Sequence, residues 1–140
     1  MLAANFTLEH IFYPETSVKA NINFNRGYSE AEPNEAQAKI YVYKQESTAV
    51  TVAMRVTVSA TSPADPYDIE VTAVGRFAIK DDEKREERFA HAIVSAPNIL
   101  YGAIREHVLG ITARSAWNEH VLGPVTFDAD DYELAKTESE

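Results

Sequence analysis

Two stretches place histidine beside glutamate, Arg105-Glu106-His107 and Asn118-Glu119-His120, and these are the residue types a zinc hydrolase uses to hold its metal and activate water. That chemistry needs a second histidine one helical turn away, so that two imidazoles share a helix face, and neither stretch has one. Asp128, Asp130 and Asp131 are spaced like the first ligands of a calcium loop. Glu133 stands where that loop needs glycine, however, and Ser139 where it needs a bidentate acid. The three acids are expected to open a short helix instead. The 5 glycines are isolated, which leaves no cradle for phosphate, and no Gly-x-Ser-x-Gly turn presents a serine nucleophile. Cysteine is absent, so thiolate catalysis, thiolate metal sites and disulfides are excluded. The chain is read as a non-enzyme with no metal and no cofactor. The alternative of another class is a small enzyme or ligand-binding domain whose polar groups converge only in the fold.

What the residues do supply is contact surface. Phe12, Tyr13, Tyr28, Tyr41, Tyr43, Tyr101 and Trp117 fall outside the clean strand alternation. Aromatic side chains give large contact areas with few rotatable bonds, so they serve grooves as well as cores. Phe12, Tyr13, Tyr28, Tyr101 and Trp117 are the candidate walls of a groove for an extended polypeptide.

The elements that must position them begin with a chain of 140 residues, the size of one domain with one core, spanning 1–140 with a frayed tail at 137–140. The composition, 45% hydrophobic and 25% charged, is that of an ordinary globular protein. A net charge of −9 repels phosphate backbones, and Lys84, Arg85 and Arg88 alternate with glutamates, so nucleic acid is not an expected partner. The opening Met1-Leu2-Ala3-Ala4-Asn5 lacks the basic start and apolar stretch of a secretory signal, and no apolar run is long enough to span a bilayer. A cytoplasmic protein without membrane insertion is expected.

Alternation of apolar and polar residues predicts strands. Val18, Ala20, Ile22 and Phe24 share one face, preceded by a looser alternation that Pro14 and Glu15 interrupt with a bend or bulge. Residues 25–34 read as a long connection. Alternation returns at Ala38, Ile40 and Val42 and is clearest through Val50, Val52, Met54, Val56 and Val58. After a turn at 62–66, Tyr67, Ile69, Val71 and Ala73 alternate with Asp68, Glu70 and Thr72, and Gly75 permits a bulge. The polar face of this sheet carries Asp68 and Glu70, with Glu15 close by, and such an acidic surface attracts a basic partner. From Asp82 the period becomes helical, and Pro97 begins a further helix at its first position. Leu100, Ala103, Ile104, Val108 and Ile111 form an apolar stripe that must pack on the sheet or on a second copy of the chain, and it is assigned to an oligomer interface because it exceeds what one thin sheet layer covers. A last short helix is expected over 128–136.

The order of these elements and one block of residues resemble a known family. Ala96-Pro97-Asn98-Ile99-Leu100-Tyr101, then Arg105-Glu106, then Gly123-Pro124-Val125-Thr126-Phe127-Asp128 are similar to the export chaperone family SecB. That family carries proline-asparagine-isoleucine-leucine-phenylalanine, arginine-glutamate and proline-valine-asparagine-phenylalanine-aspartate in the same order. Weaker similarity runs through Leu8 to Tyr13, Met54-Arg55-Val56-Thr57-Val58 and Glu70 to Phe77, covering most of the chain from Phe6 to Tyr132. The resemblance implies an α+β fold, a four-stranded antiparallel sheet with a long helix at about 97–114 and a short C-terminal helix packed on one side. It implies a homotetramer, a dimer of dimers with the long helices between two sheets. It also implies ATP-independent holding of unfolded preproteins in apolar grooves and docking of the SecA motor on an acidic sheet face, where Glu15 and Glu70 match and Lys19 replaces an acid. Some relatives of this kind protect an antitoxin in a toxin–antitoxin system, and that is the second role the resemblance implies.

Overall fold

The computed structural model describes residues 5–25, 27, 32–123, 125, 127 and 132–134. Four strands, β1 (Phe6–Ala20), β2 (Gln37–Gln45), β3 (Ala49–Val58) and β4 (Tyr67–Ile79), are followed by the helix α1 (Arg85–Thr112) and a three-residue strand, β5 (Tyr132–Leu134). They form one sheet in the order β1-β4-β3-β2-β5. The four long strands pair antiparallel, as expected from their alternation. In the centre, Val50, Val52, Met54 and Val56 of β3 lie opposite Phe77, Gly75, Ala73 and Val71 of β4. All are buried under α1, and all but the glycine contribute side chains to the apolar core. The other face carries Thr51, Arg55 and Thr57 of β3 with Glu70, Thr72 and Arg76 of β4.

The expected irregularity at Pro14 is present. The register of β1 shifts between Phe12 and Glu15, and again between Leu8 and His10. Gly75 is not at a bulge: it pairs in register with Ile11 and Val52. Its hydrogen lies directly under the helix, and a Cβ there would meet Leu100 Cδ2 and Phe77 Cε2 at 3.0 Å each. Glycine is therefore required by the close approach of α1 to the sheet.

Pro97 does not start a helix. One helix of 28 residues runs through it, and the proline ring is buried on the sheet side. An interior proline costs about 3 kcal/mol. The buried residues Ala92, Ala96, Leu100, Ile104 and Val108 on either side of it keep the helix seated and outweigh that cost. These same contacts correct the interface assignment. Leu100, Ile104 and Val108 are completely buried against the chain's own sheet, so they have no surface left for a second copy. Ala103 and Ile111 are half-buried.

Two further expectations change. The strand containing Val18 and Ala20 ends at Ala20, because the Asn21 side chain donates to Ser62 O (3.1 Å) and Asp65 O (2.8 Å) and draws the chain off the sheet. Ile22 and Phe24 thereby leave the strand. The short C-terminal helix is not formed over Tyr132–Leu134, which pair parallel to Ile40, Tyr41 and Val42 as β5; the rest of 128–136 lies outside the described residues. The open edge of β2 offers backbone partners that a free-standing helix of this length would lack. Among the described residues no helix is long and apolar enough to cross a membrane.

Candidate functional site

The candidate groove residues do not converge on one surface. Phe12 lies opposite Val74 on the outer, helix-free face of the sheet, where it is 45% exposed and stacks on His10 at 5.4 Å. Tyr13 is on the helix side. Its ring stacks on His107 at 4.0 Å and its hydroxyl donates to Ala103 O at 3.3 Å, closing the seam between β1 and α1. Burial pushes the Tyr13 phenol up and the His107 imidazole down, and Thr16 Oγ1 hydrogen-bonds His107 Nε2 at 3.0 Å. Tyr101 is a correction. It is buried, its hydroxyl donates to Gly123 O, and Phe127 packs edge-on against it, so it fastens the segment after α1 and lines no groove. Tyr28 lies outside the described residues.

Trp117 is the exception, and its surroundings explain why. The turn between β3 and β4 is built around Asp65, whose carboxylate is 1% exposed. It accepts hydrogen bonds from Asn34 N (2.6 Å), Thr61 N (3.0 Å) and Ser62 N (3.1 Å). Burial pushes this carboxyl up, but the hydrogen bonds from Asn34, Thr61 and Ser62 outweigh it, and Asp65 titrates below the usual carboxylate range. The turn then holds the β1–β2 connection at both ends, through Asn34 and through Asn21 and Asn25, the latter by Asn25 N to Pro63 O at 2.8 Å. Trp117 docks on the same assembly. Its indole N–H donates to Asn21 O (2.9 Å), its backbone N–H donates to the buried Tyr67 hydroxyl (2.9 Å), and its ring lies 5.5 Å from Phe24. Tyr67 in turn donates to Asn118 O at 2.7 Å, and Asn118 takes a left-handed backbone, φ 66°. Ile22, the residue after Asn21, is 86% exposed. Phe24 and Trp117 thus meet beyond the end of β1, and Ile22, in the same turn as Phe24, stands exposed.

The acidic face is present and partly balanced, with Glu9, Glu15, Glu46, Asp68 and Glu70 against Lys19, Arg55 and Arg76. Arg55 projects between Glu15 and Glu70, forming an ion pair with Glu70 and approaching Glu15 at 3.8 Å. Lys19 faces Asp68 across the ladder, and Asp68 accepts Ala60 N at 2.8 Å. Further along, Arg76 pairs with Glu9 (3.1 Å) and Glu46 (3.0 Å). A polar hollow of ≈ 300 Å³ lies among Ser17, Lys19, Thr57, Asp68 and Glu70, and a second of ≈ 610 Å³ between residues 32–37 and the end of β3. Neither touches the aromatic residues. Among the described residues no group of three or more histidine and acidic side chains is placed to hold a metal ion.

A sheet bearing one long helix on a single face defines a SecB-like fold. It matches the solved SecB-like chaperone of Mycobacterium tuberculosis in complex with a ChAD peptide from the HigA1 antitoxin, with a TM-score of 0.61, 18% identity, and coverage of 89% of this chain and 93% of that one. A protein of unknown function from Streptococcus agalactiae aligns with a TM-score of 0.48 and 10% identity over 89% of this chain and 100% of that one, too distant to add to the argument. The SecB family model, preprotein translocase subunit SecB, matches residues 2–135, and the chain belongs to that family. A protein-export protein SecB from Alcanivorax borkumensis is 34% identical over 83 residues, 56% of this chain, and the match spans about half (51%) of that relative's length.

Proposed function

We propose that this chain is an ATP-independent holdase that keeps unfolded polypeptides from aggregating, with handover to the export machinery as its role. The observation that carries the reading is the apolar platform of Ile22, Phe24 and Trp117. Ile22, 86% exposed in the hydrogen-bonded turn that also carries Phe24, and the half-buried Phe24–Trp117 pair gain by contact with extended apolar segments. Tyr28 belongs to the same connection and is proposed as part of the groove. The acidic exterior keeps the client complex soluble.

Assembly as a dimer of dimers follows the family and has a physical support in this chain. The exposed side of α1 carries Ala90, Val94, Asn98 and Gly102, and a Cβ on Gly102 or Gly110 would meet nothing within 4 Å. An exposed helical glycine costs roughly 1 kcal/mol with no return inside the chain, whereas it lets a second helix approach closely. This stripe replaces Leu100, Ile104 and Val108 as the proposed interface.

A second reading, care of an antitoxin, is favoured by the balanced outer face. Glu15 and Glu70 share Arg55, and Lys19 stands beside Asp68, so the field available to attract a basic docking surface, as on SecA in the export reading, is reduced. The fold relative described above was solved with an antitoxin peptide bound. The test is titration calorimetry with a permanently unfolded polypeptide, reduced and carboxymethylated lactalbumin, in the absence of nucleotide. Micromolar or tighter binding that weakens on Trp117→Ala supports the holdase reading, and no binding at tens of micromolar refutes it. SecA binding by the same method separates export from antitoxin care.

A further inference from the structure

Tyr67 opens β4 and is 1% exposed, so for packing alone a phenylalanine ring would serve as well. Its hydroxyl is the part that needs polar partners, and it finds two on the backbone of one short segment. It accepts from Trp117 N at 2.9 Å and donates to Asn118 O at 2.7 Å. A single phenol oxygen thus clamps two neighbouring residues beyond the end of α1.

The clamped segment is a closed loop. Asn118 takes the left-handed backbone conformation, which asparagine tolerates better than most residues. Two residues later His120 N donates to Thr112 Oγ1 at 2.8 Å. Thr112 is fully buried, and its hydroxyl donates to Val108 O at 2.7 Å, so the base of the loop is fixed to the last turn of α1. Trp117 is carried between these two hydroxyl ties. Its ring is aimed separately, by the indole N–H to Asn21 O (2.9 Å) and by Phe24 at 5.5 Å. Tyr67 therefore sets where the Trp117 backbone stands, and Asn21 sets where its ring points. Asn118 is exposed and Trp117 half-buried, so water can reach the groups that Tyr67 satisfies. Removing the hydroxyl loosens the loop and leaves the sheet folded.

We propose that Tyr67 is a positioning residue for client binding: its hydroxyl holds the 112–120 loop closed, so that the Trp117 ring is presented ready-made beside Phe24. A ring already held in place loses little further freedom when an extended apolar segment covers it, and affinity rises by the ordering that is avoided. Tyr67 touches no client and acts through Trp117. This inference rests on the client-holding reading above and adds to it the group that keeps the binding surface preformed.

The test uses the full-length protein with Tyr67→Phe, which keeps the ring and removes the hydroxyl. Trp117 is the single tryptophan, so its emission and its quenching by acrylamide, measured without client, report on this loop alone. Carboxymethylated lactalbumin is the client in calorimetry. Tyr67→Phe is expected to shift the emission to the red, to raise the quenching, and to weaken lactalbumin binding about three- to ten-fold with the far-ultraviolet spectrum unchanged. Trp117→Ala is expected to weaken binding as well, and adding Tyr67→Phe to it to cost nothing more, because the hydroxyl then has no ring to position. Val50→Ala is the control for general destabilisation. It is fully buried and pairs with Phe77, at the far end of the β3–β4 ladder from Tyr67, and is expected to lower stability while leaving quenching and binding as in the wild type. The proposal is overturned if Tyr67→Phe keeps wild-type quenching and affinity, or if it weakens binding equally with and without Trp117. In either case, lactalbumin binding that still responds to Trp117→Ala leaves the client-holding reading standing. Lactalbumin that ignores Trp117→Ala, or binds no form of the protein, sinks that reading and this inference with it.

Discussion

Replacing Asp65 by alanine tests whether one buried carboxylate holds the proposed client platform in place. Asp65 receives three backbone N–H groups, from Asn34, Thr61 and Ser62, besides the Asn34 amide at 3.2 Å. Removing the acceptor orphans those donors, each worth about 1 to 3 kcal/mol if it stays dry. Asn34 and Thr61 are exposed, so water re-enters and satisfies part of the loss. The net cost is about 3 kcal/mol, a large share of the 5 to 15 kcal/mol typical of a domain. At this chain length that is a drop in Tm of roughly 10 °C. Asp65→Asn keeps one acceptor oxygen but turns an NH2 toward donors, and is expected to cost about half as much. Urea unfolding at fixed protein concentration, followed by circular dichroism and by the fluorescence of the single tryptophan, measures both. The far-ultraviolet spectrum should be retained while Trp117 emission shifts to the red under native conditions, because Asn21 and Phe24 lose their anchor. A loss below about 0.5 kcal/mol, or an unchanged tryptophan environment, refutes the claim that this turn organises the platform.

Other outcomes follow from the same geometry. Arg55→Ala, which frees Glu15 and Glu70, should change stability by less than about 0.5 kcal/mol. It should also raise the low-salt association rate with a lysine-rich peptide about two- to five-fold, measured by stopped flow across a salt series; a rate independent of the variant argues against the balanced face. Gly75→Val should destabilise by about 1 to 3 kcal/mol in urea unfolding, since its side chain must displace Leu100 and Phe77, and a neutral result would show that α1 sits less closely than described. Burial holds His107 and His120 below their usual range, so between the folded value and about 6.5 the unfolded chain binds more protons and stability falls on acidification. Thermal melts from pH 7.5 to 5.5 should show that decline, and His107→Gln with His120→Gln should flatten it.

How far the sequence is legible differs from element to element, for identifiable reasons. The four long strands are plain because one face must be apolar and the other wet, which forces a period of two in β3 and β4. The break in β1 shows as Pro14 because proline lacks the N–H a continuous ladder needs. Ile22 and Phe24 mislead, since they continue the alternation of Val18 and Ala20 while the tie that ends the strand, Asn21 to Ser62 and Asp65, spans some forty positions. Pro97 and Gly75 mislead in a related way. Both are local breakers whose cost is met by packing between α1 and the sheet, which no local pattern contains. The stripe Leu100, Ile104 and Val108 must be apolar whether it faces its own sheet or a second copy, so burial alone assigns it. β5 is too short to carry a period, and the acids before it in sequence, Asp128, Asp130 and Asp131, read as the first turn of a helix. At the candidate site, Trp117 could be picked out as a lone large side chain beyond the helix, whereas its partner Phe24 and the partial screening of Glu15 and Glu70 by Arg55 arise only when distant strands meet.

The holdase claim is tested most directly by light scattering from a slowly refolding client diluted out of denaturant at about 25 °C, with this protein in several-fold excess and no nucleotide present. The account predicts that scattering is suppressed in proportion to the amount added, and that Ile22→Ser with Trp117→Ala weakens the effect by about 1 to 2 kcal/mol in apparent affinity while the far-ultraviolet spectrum is unchanged. Client aggregation that proceeds at the same rate with and without the protein would contradict it.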